Sequence, residues 1–110
     1  QIYRMVKRFP ANRIVLAHWG GGLFFFNLLK KEVKEQLRNV YFDTAASPFL
    51  YAPEIYRIAI QLVGAEKILF GSDYPLLPPV RYFKEMEQGG LSSRDRALIC
   101  GLNAARLLNL

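Results

Sequence analysis

The sequence has few of the residues that build cross-linked or membrane-bound proteins. Cys100 is the only cysteine and His18 the only histidine among 110 residues. A single cysteine cannot form an intramolecular disulfide, which excludes a small disulfide-stapled scaffold. No apolar run reaches the length of about 18 residues that a membrane span needs, and the first residues lack the apolar stretch of a signal peptide. We therefore expect a cytoplasmic protein with no membrane partner.

The composition predicts a folded domain. Hydrophobic residues make up 52% of the chain and charged residues 22%, which excludes intrinsic disorder. The net charge is +6, but the 15 lysines and arginines are spread along the whole sequence. The densest run, from Lys30 to Glu35, mixes both signs, as a solvated helix face does. A nucleic-acid footprint would be clustered, so we do not predict a nucleic-acid partner.

The apolar pattern alternates between helices and strands. Helices are predicted over residues 2–9, 23–37, 53–63 and 80–88, with two more after Ser92, the last over 103–108; residues 45–51 are predicted as a loop. Short apolar strands begin near residues 13, 40 and 67, an equal spacing of 27 residues. Strands joined through helices pair in parallel, so the fold class is α/β.

The repeat length suggests a specific α/β architecture. A βα unit of a barrel takes about 30 residues, because eight units occupy about 250. Three such strands cannot close a barrel and would leave two open edges, which soluble proteins avoid. We therefore expect residues 1–110 to be a single partial domain of a larger (β/α)₈ fold, incomplete on its own.

Two polar residues follow two of these strands and are candidates for catalysis. His18 comes after the strand ending Val15-Leu16-Ala17, and Asp73 comes after the strand starting at Lys67. Ligands bind parallel sheets at the carboxyl ends of their strands. Alternation along the first strand predicts that Ile14 and Leu16 point to the same side as His18, away from the helices. An imidazole and a carboxylate at one edge fit a metal site or acid–base chemistry.

A structural interpretation competes with each of these candidates. His18 could be a strand-end histidine bonded to a loop, and Asp73 a turn residue before Pro75. Asp43 also ends a strand, and we favour a loop-organising role for it.

Other conspicuous residues have structural interpretations as well. Gly20, Gly21 and Gly22 could bind an anion or, more often, let the loop approach a neighbouring strand. We interpret Trp19 and the Phe24–Phe26 run as packing residues, with one exposed ring as a pocket wall at most, and Cys100 as a core residue.

The motifs together resemble a known family. The segments RIVLAHWGGG, NVYFDTAAS, EKILFGSDYP and LNAARLL, in this order, resemble the C-terminal half of the amidohydrolase-related metal-dependent hydrolases. The branch concerned includes aminocarboxymuconate-semialdehyde decarboxylase and the resorcylate-type decarboxylases. The resemblance implies strands six to eight of a (β/α)₈ TIM barrel. It also implies a divalent metal, zinc in the first place with manganese or magnesium as alternatives, and a small-molecule substrate.

The resemblance also implies roles for the two candidates. His18 matches the histidine ending strand six, an acid–base group that can itself be a metal ligand in two-metal relatives. Asp73 matches the metal-binding aspartate ending strand eight. The complete enzyme would hydrolyse or decarboxylate a small organic acid, ester or lactone through metal-activated water.

The motifs do not cover the whole of the family's site. The family's His-x-His pair and its strand-five histidine are missing from the sequence, so we expect these 110 residues alone to be inactive. Expected partners are the missing N-terminal barrel half and, in the assembled protein, a second copy. Two alternatives stay open: a TatD-like metal-dependent deoxyribonuclease, and a non-catalytic half-barrel that acts as an assembly module.

Overall fold

Three short parallel strands form the centre of the computed structural model, which describes residues 1–110. The strands are β1 (Ile14–Leu16), β2 (Val40–Asp43) and β3 (Ile68–Leu69). They lie side by side in chain order, and the register aligns Leu16 with Phe42 and Phe42 with Ile68. The α/β class and the parallel pairing of consecutive strands are therefore confirmed.

Short helices connect and cover these strands. They are α1 (Ile2–Arg8), α2 (Lys31–Gln36), α3 (Ser47–Leu50), α4 (Glu54–Val63), α5 (Pro79–Gln88), α6 (Ser93–Ala97) and α7 (Asn103–Leu107). The predicted cap of α6 is present, because the Asp95 amide donates to Ser92 Oγ at 3.1 Å. None of the helices has the length and apolar character that crossing a membrane requires.

The prediction of one helix over residues 23–37 is wrong. Residues His18–Leu28 form a series of tight 3₁₀ turns, and a regular α-helix begins only at Lys31. In this segment Phe24 is buried, whereas Phe25 is 53% and Leu28 is 69% exposed. The apolar run therefore does not follow the period of an amphipathic helix. The predicted loop over 45–51 is also partly wrong, because it contains the short helix α3.

The helices cover one face of the sheet, where the main core lies. Leu16 and Phe42 belong to this core, and the ring of Phe42 packs edge-on against Phe24 at 6.3 Å between centroids. Val15 points to the opposite face and is 44% exposed. The predicted orientation of β1 is therefore wrong, since Leu16 faces the helices rather than the open side.

The C-terminal helices dock against β3. Helices α6 and α7 are joined by a π-helical turn, Leu98–Leu102, so the chain is helical from residue 93 to 107. The main-chain N–H of Phe70 donates to the carbonyl of Ile99 within this turn at 2.9 Å. The buried amide of Asn103 donates to the carbonyls of Ala65 and Ile68 at 2.7 and 2.8 Å. These bonds fix the helical C-terminus along the outer side of β3.

Candidate active site

His18 opens a left-handed turn directly after β1. Five consecutive residues, from His18 to Gly22, have positive φ, with 54° at His18 and 59° at Trp19. Residues other than glycine rarely adopt this backbone conformation. Those that do are concentrated at functional sites. The turn also ends the strand's alternation, which is why the direction of His18 could not be inferred from Leu16.

Hydrogen bonds fix both the backbone and the ring of His18. Its main-chain N–H donates to Asp43 Oδ1 at 2.9 Å, and its Nδ1 lies 3.0 Å from the carbonyl oxygen of Ala45. A carbonyl can only accept, so Nδ1 carries the proton in this bond. The neutral ring then has its lone pair on Nε2, which is the atom able to accept a proton.

Asp73 lies beside this histidine although it follows a different strand. Its Oδ2 is 3.8 Å from His18 Nδ1, and the two side chains are 42% and 45% exposed, respectively. Asp73 also has positive φ, at 50°. The structure therefore brings the two predicted site residues together at the carboxyl edge of the sheet, where solvent reaches both.

Asp43 organises the loops rather than standing free in the site. Its Oδ1 accepts two main-chain hydrogen bonds, from His18 and from Ala45 at 3.0 Å. The same carboxylate thus binds the main chain of His18 and that of Ala45, the residue whose carbonyl accepts a hydrogen bond from the His18 ring. The loop-organising role favoured from the sequence is what the structure shows.

Thr44 extends the pairing of β2 and β3 beyond the regular strands. Its fully buried hydroxyl donates to the carbonyl of Gly71 at 2.9 Å and accepts from the amide of Gly71 at 3.1 Å. This reciprocal pair fixes the segment two residues before Asp73. The sequence offered only one signal for this role, the position of Thr44 at the end of an apolar strand.

Tyr82, on α5, ties the two loops of the site together. Its hydroxyl donates to the carbonyl of Ser72 at 2.9 Å and accepts from the amide of Ala46 at 3.0 Å. Burial raises the pKa of this phenol, and the neighbouring carboxylates of Asp73, Glu85 and Asp43 raise it further. Sequence analysis missed this residue, because a tyrosine on an amphipathic helix is indistinguishable from ordinary core packing.

Trp19 is a packing residue, as predicted. It is fully buried, and its indole donates to Ser47 Oγ at 2.7 Å, which in turn donates to the carbonyl of Thr44 at 2.6 Å. A Cβ added at Gly20 would lie 3.1 Å from the ring of Phe42. Gly20 therefore lets the turn lie close to β2. This is the second of the two interpretations of the glycines, close approach rather than anion binding.

The interpretation of Cys100 as a core residue is wrong. The residue is exposed, although its thiol rests 3.8 Å from the sulfur of Met86. Partial burial raises the pKa of the thiol. The adjacent Ile99 takes the core position of this π-helical turn.

The metal-binding capacity of these residues is limited. His18 and Asp73 have the donor types that a divalent metal prefers, a ring nitrogen and a carboxylate oxygen. A protein site needs three or four such donors, and nowhere in the chain do three or more His, Cys, Asp or Glu residues come together in that way. The residues fit part of a metal site and would need ligands from outside the 110 residues.

The match to a family of known proteins decides the identity of the fold. The family model described as amidohydrolase matches residues 1–110, the whole chain. The chain belongs to the amidohydrolase family. The resemblance inferred from the four motifs is thereby confirmed. None of the curated proteins matches this amidohydrolase chain.

Solved structures resemble this amidohydrolase chain over nearly all its residues. A 5-carboxyvanillate decarboxylase from Sphingomonas paucimobilis is 22% identical, with a TM-score of 0.79 over 99% of this chain and 38% of its own. A dihydroxybenzoic acid decarboxylase from Polaromonas sp. JS666, with bound manganese and the inhibitor 2-nitroresorcinol, is 24% identical, with a TM-score of 0.79 over 98% and 38%. A putative amidohydrolase from Staphylococcus aureus is 27% identical, with a TM-score of 0.71 over 94% and 36%.

These comparisons establish how much of an amidohydrolase fold is present. The chain spans a little over a third of the length of the three relatives. Its small parallel sheet and helices correspond to part of an amidohydrolase barrel.

Proposed function

We propose that residues 1–110 form the C-terminal βα units, about strands six to eight, of a metal-dependent (β/α)₈ amidohydrolase. The complete enzyme hydrolyses or decarboxylates a small organic acid, ester or lactone. The observation that carries this proposal is the 3.8 Å approach of His18 Nδ1 to Asp73 Oδ2, which joins the ends of β1 and β3. Because two of the similar structures are decarboxylases of hydroxylated aromatic acids, acids of that class are the first substrates to test.

His18 is the proposed acid–base group. Its Nδ1–H is held by the carbonyl of Ala45, which leaves Nε2 to take a proton from, or return one to, a reacting molecule. The main chain of His18 is fixed by Asp43, so the ring has a defined position before any substrate arrives. Such preorganisation lowers the cost of reaching the reactive geometry.

Asp73 is the proposed metal ligand. In a two-metal site His18 would be a second donor instead of the acid–base group, because both roles use the one lone pair on Nε2. A divalent cation supplies Lewis-acid chemistry when bound, lowering the pKa of water and polarising a carbonyl or carboxylate. We propose zinc first, with manganese or magnesium as alternatives. The remaining ligands come from the N-terminal barrel half, so the 110 residues alone neither bind the metal tightly nor turn over substrate.

Two other functions from the sequence remain alternatives. A TatD-like deoxyribonuclease would need a basic surface at the catalytic edge, where the side chains in contact are His18 and Asp73. A non-catalytic half-barrel would use its exposed apolar face, which includes Val15, for assembly. Neither is favoured by a specific contact, and both are separated from the enzyme by the experiment below.

The decisive experiment uses the longer protein that contains this chain. We expect chelation to abolish decarboxylation of 2,6-dihydroxybenzoate or 5-carboxyvanillate, or hydrolysis of a lactone, and Zn²⁺ or Mn²⁺ to restore it. The variants His18→Gln and Asp73→Asn should each lower kcat/KM by at least about 100-fold, the usual contribution of a positioned proton-transfer group. The variant Glu32→Gln, on the exposed surface of α2, is the matched control and should leave the rate unchanged.

Three outcomes would contradict the proposal. Full turnover in both site variants would remove His18 and Asp73 from the chemistry. Undiminished activity after chelation would remove the metal. Salt-sensitive cleavage of DNA, with no reaction of the organic acids, would favour the nuclease instead.

A further inference from the structure

A cavity lies between α2 and α4, away from the candidate active site. Its volume is about 430 Å³, which falls in the range of about 300–1,000 Å³ for small-ligand pockets. Its floor is apolar and includes Val40 and Phe42, from the helix-covered face of β2, and Val63 at the end of α4. Neither His18 nor Asp73 lines it, so the cavity is a separate feature of the chain.

Basic side chains surround this apolar floor. Lys31 and Lys34 lie on α2, Arg38 lies in the turn after it, and Lys67 is the residue before β3. The only acidic residue in the lining is Glu35, which pairs with Lys31 at 3.8 Å.

Acidic groups act on the remaining cations of the lining only at longer range, as the carboxylate of Glu66 does on Lys67. Lys34, Arg38 and Lys67 form no salt bridge in the structure. The cavity thus combines an apolar interior with three positive charges that no salt bridge neutralises.

Lys67 is the cation most constrained at this site. Its ammonium group lies 4.5 Å from the centre of the Tyr41 ring and donates a hydrogen bond to the carbonyl of Arg38. Burial lowers the pKa of this lysine, which means that its charge is incompletely solvated. An anionic group in the cavity would be a favourable partner for such a charge, because attraction is stronger where water is partly excluded.

We propose that this cavity binds a small amphipathic anion, an apolar chain or ring that carries one carboxylate. The apolar body would occupy the floor over Phe42 and Val63, and the carboxylate would pair with Lys34, Arg38 and Lys67 at the rim. This site is independent of the proposed catalytic function, since it uses no residue of the catalytic edge. Its occupation would connect α2 to the strand that holds Asp43.

The proposal is tested by binding of octanoate to the longer protein that contains this chain, followed by NMR. We expect saturable shifts confined to the signals of Phe42, Val63 and Lys67, with the buried Trp19 indole signal confirming a folded chain. The double variant K34Q/R38Q should bind octanoate about five- to tenfold more weakly, the size expected for losing two partly exposed ion pairs. The double variant R57Q/R94Q loses the same charge outside the cavity and should bind like the unchanged chain.

The head group and the apolar body are tested separately. Octanol lacks the charge and inorganic phosphate lacks the apolar body, so both should bind much more weakly than octanoate. No saturable binding of octanoate would overturn the proposal. Equal loss in the two double variants, or octanol or phosphate binding as tightly as octanoate, would overturn it as well, because any of these would leave no role for the combined apolar and basic lining.

Discussion

The carboxylate of Asp43 lies 2.9 Å from the main-chain nitrogen of His18, although 25 residues separate them in the sequence. This bond holds a histidine whose backbone is left-handed, with φ at 54°. Left-handed conformations cost about 1–2 kcal/mol per residue for side chains with a Cβ. The hydrogen bonds of Asp43 therefore offset strain at the position from which the candidate base acts.

Asp43→Asn should destabilise the chain. The variant loses the charge on an oxygen that accepts two main-chain N–H groups, which typically costs about 1–3 kcal/mol in the free energy of unfolding. Asp73→Asn is the matched control: no hydrogen bond to the Asp73 carboxylate is formed within the chain, so its unfolding free energy should change by less than about 0.5 kcal/mol. Urea unfolding followed by Trp19 fluorescence measures both, and equal effects would refute the anchoring role of Asp43.

Gly20→Ala should be more damaging than Gly21→Ala. Both glycines have similar positive φ, 64° and 59°, so both variants bear the left-handed strain of about 1 kcal/mol. Only the Cβ at residue 20 would press on Phe42 and on Leu16, at 3.1 and 3.2 Å, while the space around residue 21 is open. Crowding of a packed core adds about 1 kcal/mol or more. Thermal unfolding of the two variants gives the difference directly, and identical midpoints would show that the close approach has no energetic effect.

Tyr82→Phe should loosen the loops at the carboxyl edge of the sheet. The variant leaves the carbonyl of Ser72 and the amide of Ala46 without their buried partner, at a cost of about 1–3 kcal/mol. Tyr74→Phe is the control, since Tyr74 is 75% exposed and should change stability little. Hydrogen exchange at the Ala46 amide is the direct readout: protection should fall in Tyr82→Phe and persist in Tyr74→Phe. Retained protection in both variants would mean that the phenol does not hold the loop.

Glu85→Gln should stabilise the chain near neutral pH. One carboxylate oxygen of Glu85 is buried without a hydrogen-bond partner, and burial raises the pKa of this group above its ordinary value of 4.5. Glu85 then holds its proton more tightly in the folded than in the unfolded chain. Its contribution to stability is therefore greatest below pH 4.5 and is lost as pH rises through the raised pKa.

The glutamine variant lacks this titration. Its advantage over the unchanged chain should therefore grow from pH 4 to pH 7, and stay below about 1 kcal/mol because the group is partly solvated. Unfolding free energies measured at several pH values provide the test. An advantage that is constant across this range would contradict the assignment to Glu85.

Regular features of the fold were predictable because they depend on local pattern. The three apolar strands and helix α4, which ends just before Gly64, follow directly from residue periodicity and a terminal glycine. The convergence of His18 and Asp73 followed from the rule that parallel strands present their carboxyl ends at one edge. These inferences need no knowledge of which side chains touch.

Other features depended on contacts that no local pattern reveals. The left-handed turn that begins at His18 ends the alternation of β1, so the side inferred for Leu16 from His18 was wrong. Tyr82 bonds to residues 10 and 36 positions away, so its role depends on tertiary packing alone. Sequence reasoning found the residues at the edge but not those that position them.

The hydrogen bond that the carbonyl of Ile99 accepts affects where further strands can pair with the sheet. The main-chain groups of Leu69 and Gly71 point towards β2, so the main-chain N–H of Phe70 points away from β2. There it donates to the carbonyl of Ile99 in the π-helical turn. The sheet edge beside β3 is therefore hydrogen-bonded at Phe70 by the protein's own C-terminal segment. The edge beside β1 has no such bond at Val15. In the closed barrel proposed above, a neighbouring strand pairs on each side of this sheet, so on the β3 side it pairs with residues before Phe70.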